Sequence, residues 1–254
     1  MRDALFALRS AVGFLTTIPV GISMEGIEAM MRHIYLFPSI GLLLGVLYGV
    51  VARPLSPFLP AGLVAAIVLL LIYKLCGINH IDGLADFVDG LTAHGDREKK
   101  IRAMKDVHLG SAGGLSIALI LIVAFYTMSA LPSPLLPLAL VAAEVSAKQS
   151  MIAFAAFSRP FQKGFGQMMI EKAGMRDFLA GLAISAVLCA AILGPLGLAM
   201  LGLSLTSALY LVAVSKRNFG GGSGDGIGAS NEISRAIALM ASLALMEVLP
   251  WTPW

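Results

Sequence analysis

Seven apolar stretches, at 36–52, 61–76, 114–131, 135–157, 178–193, 196–214 and 233–249, restrict this chain more than any other feature. A helix rises about 1.5 Å per residue, so the longer stretches approach the ~30 Å of a bilayer's hydrocarbon, while the shorter ones need local thinning or stay inside the bundle. Hydrophobic residues make up 58% of the chain and charged residues 13%, an apolar excess beyond what a soluble bundle of 254 residues needs. The expectation is an all-α, polytopic transmembrane helical bundle of about seven spans, one domain over 1–254 without internal repeat or linker.

The connections set the topology. Long polar segments at 77–113, 158–177 and 215–232 alternate with short Pro- or Gly-containing links at 53–60, 132–134 and 194–195, which puts the long segments on one side. Those segments hold Arg97, Lys99, Lys100, Arg102, Lys105, Arg159, Lys163, Lys172, Arg176, Lys216 and Arg217, whereas Arg53 is the one Lys or Arg in the short links. Basic residues favour the cytoplasmic side, so the polar side is expected to face the cytoplasm from a cell membrane, with Trp251 and Trp254 anchoring the far interface. The first twenty residues carry Arg2 and Arg9 among Leu5, Phe6, Leu8 and Val12 without a small-residue cleavage site. They read as a retained N-terminal helix, either amphipathic at the surface or entering the bilayer. A net charge of +3 follows from this topology and anionic headgroups and needs no nucleic acid. Cys76 and Cys189 have neither zinc nor disulfide spacing and read as small core residues.

Between the second and third stretches lies Asn79-His80-Ile81-Asp82-Gly83-Leu84-Ala85-Asp86-Phe87-Val88-Asp89-Gly90. At 3.6 residues per turn Asp82, Asp86 and Asp89 share one helix face, where repulsion and desolvation oppose three charges unless a cation offsets them. The plain reading is a solvated acidic face. Gly83 and Gly90 favour the functional one, because they let a ligand approach the backbone. Hard oxygen donors without paired His or Cys suit Mg²⁺, with Mn²⁺ as an alternative. His80 falls on roughly the opposite face, where capping or packing is the ordinary role and proton transfer the functional one.

Two further segments belong to the same polar side. Residues 96–110 form a basic amphipathic stretch in which Lys99, Lys100 and Arg102 suit anionic headgroups, while Lys105 and Asp106, before Gly110 and Gly113, return towards the acidic helix and can meet phosphate. Gly220-Gly221-Gly222-Ser223-Gly224-Asp225-Gly226-Ile227-Gly228 then runs towards Glu232. Such a loop either cradles phosphate on backbone N–H groups or serves close helix packing, and Asp225 with Glu232 repeats the i, i+7 carboxylate spacing. Glu144 and Lys148, at i and i+4 within an apolar stretch, can supply each other.

At these residues the chain resembles the cobalamin synthase family, membrane enzymes also called adenosylcobinamide-GDP ribazoletransferases. The resemblance rests on His80-Ile81-Asp82-Gly83-Leu84-Ala85-Asp86 with Asp89-Gly90, on Met104-Lys105-Asp106 before Gly110, and on Gly221-Gly222-Ser223-Gly224-Asp225 with Gly228-Ala229 and Glu232. Leu15-Thr16-Thr17-Ile18-Pro19-Val20 and Phe37-Pro38 extend it over nearly the whole chain, with Asn79 and Ser223 as small departures. It implies Mg²⁺-dependent joining of adenosylcobinamide-GDP to α-ribazole or its 5′-phosphate with release of GMP, late in cobalamin assembly, and leaves room for association with other enzymes of that assembly.

Attack of a ribose hydroxyl on a pyrophosphate calls for charge neutralisation more than covalent catalysis. Under that reading Asp82, Asp86, Asp89, Asp225 and Glu232 are the candidate metal ligands, Asp89 or His80 the candidate proton-transfer group, and Lys105, Asp106, Gly221, Gly222, Ser223 and Gly224 the candidate substrate contacts. A CDP-alcohol phosphotransferase is the neighbouring alternative, disfavoured because Leu84-Ala85-Asp86 stands where that family has an Ala-Arg pair. A cation transporter is the alternative from another class, expected to hold acids near midplane and to show pseudo-symmetric halves.

Overall fold

A computed structural model describes residues 2–161 and 163–251. Its elements are α1 (Arg2–Leu15), α2 (Met24–Arg32), a 3₁₀ turn (Ile34–Leu36), α3 (Phe37–Leu55), α4 (Ala61–Cys76), α5 (Asn79–Thr92), α6 (Arg97–Met104), α7 (Ser111–Ala130), α8 (Leu135–Ala156), α9 (Phe165–Lys172), α10 (Met175–Phe219) and α11 (Gly224–Leu245). No β-strand forms among the described residues; the single bridge pairs Pro160 with Gly222. The all-α polytopic architecture follows, and every apolar stretch is helical.

By length and composition four helices suffice to cross a membrane, α3 with its 3₁₀ turn, α7, α8 and α10, and five do if α4 and α5 make one broken span bent by 91°. Three details explain the difference from seven. At 16 residues α4 is short. The 45-residue α10 is two helices joined at Gly194, whose φ of 56° and ψ of −134° suit glycine alone, and a Cβ on Gly197 would lie 2.2 Å from the Cys189 carbonyl, so its halves fold back as a hairpin. Finally, α11 starts at Gly224 rather than at 233 and takes Asp225, Glu232 and Arg235 into its length.

The bundle is built around α8, in which every residue from Ala139 to Ala155 is buried. Glycines allow this. A Cβ at Gly41 or Gly45 of α3 would come within 2.5 Å of the Glu144 carbonyl or 2.4 Å of Val141 Cα, so the two backbones touch along a small-residue seam. Conversely Leu115, Leu119, Ile122 and Tyr126 form an exposed apolar stripe on α7. That stripe is ordinary when lipid is the solvent.

The N-terminal segment is a helix, α1, packed on α2; Arg9 donates to the Val20 carbonyl at 2.6 and 2.9 Å. Cys76 and Cys189 are buried free thiols. The Trp251 indole donates to the Met246 carbonyl at 3.2 Å, and Trp254 lies outside the described residues.

The three long segments meet at one end of the bundle, as their alternation predicts. Phe161 N–H donates to the Gly222 carbonyl at 3.2 Å, and the Lys100 ammonium donates to the Asn218 amide oxygen at 2.7 Å. Gly77, with φ of 69°, turns the chain from α4 into α5, which leaves the spans and lies across this end.

Candidate active site

Helix α5 carries the acidic motif and makes three contacts. Towards α6, a Cβ on Gly90 would strike Met104 Cβ at 2.8 Å; towards α11, one on Gly83 would lie 3.0 Å from Asp225 Cα, and one on Gly228 of α11 would lie 3.0 Å from the His80 carbonyl. The glycines therefore hold the two acidic helices backbone to backbone, which brings Asp225 beside the Asp82/Asp86 face. Together with Lys105, Asp106 and Val107 these three aspartates line a cavity of about 350 Å³. Four carboxylates there face one ammonium.

That imbalance is visible in Asp86, which is pushed up to about 6 by its own burial first and then by the charges of Asp82, Asp225 and Asp89. Asp106, at the open edge, is held below the usual carboxylate range by the backbone N–H and ring of His108, at 3.0 and 2.8 Å. Hard oxygen donors with excess negative charge suit a divalent cation of the Mg²⁺ type. As the side chains lie, no three His, Cys, Asp or Glu groups among the described residues stand close enough together to hold a metal ion.

The structure separates five of the sequence-derived candidates from this cavity. Asp89 accepts the Gly110 N–H at 2.8 Å and the Gly113 N–H at 2.7 Å, one on each carboxylate oxygen, and so caps the start of α7. A carboxylate committed in this way is neither a free ligand nor a free base. Glu232 is buried and accepts from Arg235 at 2.7 Å, Tyr73 at 3.0 Å and Asn231 at 2.9 Å, which leaves it satisfied within the bundle. His80 packs at the α5–α11 crossing with its Nδ1 3.5 Å from the Asn231 amide nitrogen, and it does not line the cavity. The Gly221–Gly222 segment is likewise occupied: Gly222 N–H donates to the Arg159 carbonyl at 2.7 Å and the Gly221 carbonyl accepts the Ser215 hydroxyl at 2.6 Å.

Two loop residues serve helix α11 itself. Ser223 is its N-cap, accepting the Gly226 N–H at 3.3 Å, and Gly224 begins the helix against Gly166. The expected phosphate-cradling loop over 220–228 thus shrinks to 220–223, because small residues that lack helix propensity are wanted here for close packing.

Beneath the cavity runs a charge network that the sequence reading found only in part. Lys148 donates to Glu144 at 3.3 Å and to the Asn231 oxygen at 2.7 Å, while Arg235 bridges Glu144 and Glu232. Two acids and two bases balance within the buried centre of the bundle. Arg235 was missed, although an arginine three residues after a glutamate in an apolar run is itself a signal.

Comparison with known proteins identifies the family. The family model described as cobalamin-5-phosphate synthase matches residues 7–243. An adenosylcobinamide-GDP ribazoletransferase of Methanococcoides burtonii is 38% identical over 271 aligned positions, covering 100% of both chains. That of Methanosarcina mazei is 41% identical, covering 98% of this chain and 95% of the relative, and that of Thermococcus kodakarensis is 32% identical, covering 96% and 99%. No solved structure matches. With the family model spanning nearly the full length and relatives above 30% identity end to end, the chain belongs to the cobalamin-5-phosphate synthase family.

Proposed function

We infer that this chain catalyses the transfer for which its relatives are named, in the late assembly of cobalamin. A hydroxyl of α-ribazole or its 5′-phosphate attacks the adenosylcobinamide-side phosphorus of adenosylcobinamide-GDP, the pyrophosphate P–O bond breaks, and GMP leaves. The observation that carries this reading is the single cavity in which Asp82, Asp86, Asp106 and Asp225 face Lys105 at the polar end of an apolar bundle. A bound Mg²⁺ would supply the charge neutralisation that a pyrophosphate requires there.

The chain's own groups divide the remaining work. Asp82 of α5 and Asp225 of α11 would hold the cation. Asp86, less exposed than Asp82 and with its pKa already near 6, accepts the proton of the attacking hydroxyl, the role that Asp89 loses to helix capping. Lys105 steadies a phosphate oxygen and Asp106 borders the entrance. The basic residues around this end support a cytoplasm-facing site in the cell membrane.

The test is incubation of the purified protein with α-ribazole, adenosylcobinamide-GDP and Mg²⁺. GMP release, lost in Asp82→Ala and Asp225→Ala while both variants still insert, is the expected result. Near-normal turnover in either variant removes the cation assignment, and ion flux without GMP replaces the enzyme reading with transport.

A further inference from the structure

A second cleft opens at the same end of the bundle and shares no lining residue with the acidic cavity. It holds about 260 Å³ between the end of α8 and the end of α10. Arg159 and Lys216 line it, and the Arg97 guanidinium packs on Gly220 so closely that a Cβ there would lie 2.5 Å from Nη1. None of the three cations takes part in an ion pair among the described residues. The nearest acids in sequence point elsewhere, since Asp96 caps α6 through the Lys99 N–H and Glu98 pairs with Arg102. Two unpaired cations thus line the cleft and a third lies against its Gly220 wall, an excess of positive charge that a bound anion would offset.

Two further features describe that anion. Ser158 also belongs to the cleft wall; its hydroxyl, packed against Gly222, is buried without a hydrogen-bond partner among the described residues, and a change of its rotamer would offer a donor to an acceptor-rich group in the cleft. The other wall is apolar: Phe157 ends α8, and Val212 lies one turn below Lys216 on the same face of α10. A cationic rim above an apolar wall, where two apolar helices emerge, matches a phosphate joined to a hydrocarbon body. Lys216 and Arg217 also offset the carbonyl end of α10, but that role does not account for Arg159 in the same cleft wall or for Arg97 against Gly220.

We propose that the cleft between α8 and α10 binds the phosphate of an anionic membrane phospholipid through Arg159, Lys216 and Arg97, with its glycerol and upper acyl chain against Phe157 and Val212. Binding here braces the 220–223 turn, because Gly222 N–H is held by the Arg159 carbonyl and the turn leads directly into Asp225.

Native mass spectrometry of the purified full-length protein in detergent, titrated with phosphatidylglycerol or phosphatidylcholine, tests the proposal. The expected result is preferential retention of phosphatidylglycerol and a rise in its apparent Kd of at least roughly tenfold in the Arg159→Gln/Lys216→Gln protein, as two charge-assisted contacts are lost. Ser158→Ala should weaken it by a few-fold, and Lys99→Gln/Arg102→Gln, an equal charge loss on α6, should leave it unchanged. Equal losses from both charge pairs, or no preference over phosphatidylcholine, would overturn the proposal. Displacement of bound phosphatidylglycerol by inorganic phosphate or GMP would also overturn it and assign the cleft to a free phosphate.

Discussion

Two aspartates a single helical turn apart have opposite fates. Asp89 gives both oxygens to backbone N–H groups at 2.7 and 2.8 Å, and Gly110 and Gly113 wrap it so tightly that a Cβ on either would come 2.3 Å from a carboxylate oxygen. Asp89→Asn replaces one acceptor by a donor facing an N–H, which costs about 1.5–3 kcal/mol. The expected outcome is a lower melting temperature in detergent with kcat per folded molecule within a few-fold of the parent; an unchanged melt with no turnover would return Asp89 to the chemistry. Asp86 is the reverse case. Because its pKa in the fold is raised from 3.8 to about 6, its contribution favours the fold below 3.8 and is lost as pH rises through 6, whereas its service as a base begins only above 6. In cation-free buffer the protein should therefore melt higher at pH 5 than at pH 7, while kcat/KM, measured with Mg²⁺ present, rises over the same range; Asp86→Asn should flatten the melting profile and remove that rise in turnover, and a melt that rises with pH in the parent contradicts the crowded-carboxylate account. Helical spacing revealed that three acids share a face, but Asp89's role depends on N–H groups 21 and 24 residues later, and no periodicity carries that information.

At the level of helices, glycines decide what touches what. Gly45 of α3 lies against Val141 Cα, and Gly83 of α5 lies against Asp225 Cα, with built Cβ distances of 2.4 and 3.0 Å. Both neighbours are backbone and neither can swing aside. Gly45→Val should separate α3 from the enclosed helix α8 and lower stability by at least about 1–3 kcal/mol, read as a fall in melting temperature. Gly83→Ala sits where a few tenths of an ångström decide the relation of Asp82 and Asp86 to Asp225, so kcat should fall several-fold with little change in the melt. A melt loss in Gly83→Ala as large as that of Gly45→Val would make the α5–α11 contact merely structural. The apolar runs were legible because each is a helix in lipid, and the meeting of the three polar segments was legible from loop lengths and basic residues alone. The start of α11 was not: a glycine-rich string reads as a loop by propensity, yet here packing against α5 and α8 outweighs propensity and makes it helical from Gly224.

At the scale of the whole molecule, four charges are buried together inside the bundle. Glu144, Lys148, Glu232 and Arg235 lie between α8 and α11 almost without exposure, and the pairing Lys148–Glu144–Arg235–Glu232 is neutral only as a set. Sequence spacing exposed the Glu144–Lys148 pair, but the link from Arg235 to Glu144 spans 91 positions and arises only when the two helices meet. Burying charges costs more than their attraction returns unless every member is present, and removing one partner leaves an uncompensated charge worth about 3–5 kcal/mol. Arg235→Met leaves Glu144 and Glu232 with only Lys148, so it should lower the melting temperature strongly or leave the protein unable to accumulate in membranes. Adding Glu232→Gln to Arg235→Met restores neutrality, keeps a side-chain oxygen for Tyr73, and should raise the melt above that of the single variant even though it removes one more native group. If the double variant instead melts at or below Arg235→Met, the four charges act as independent contacts, and the bundle under the acidic cavity is held by packing around α8 rather than by a balanced network.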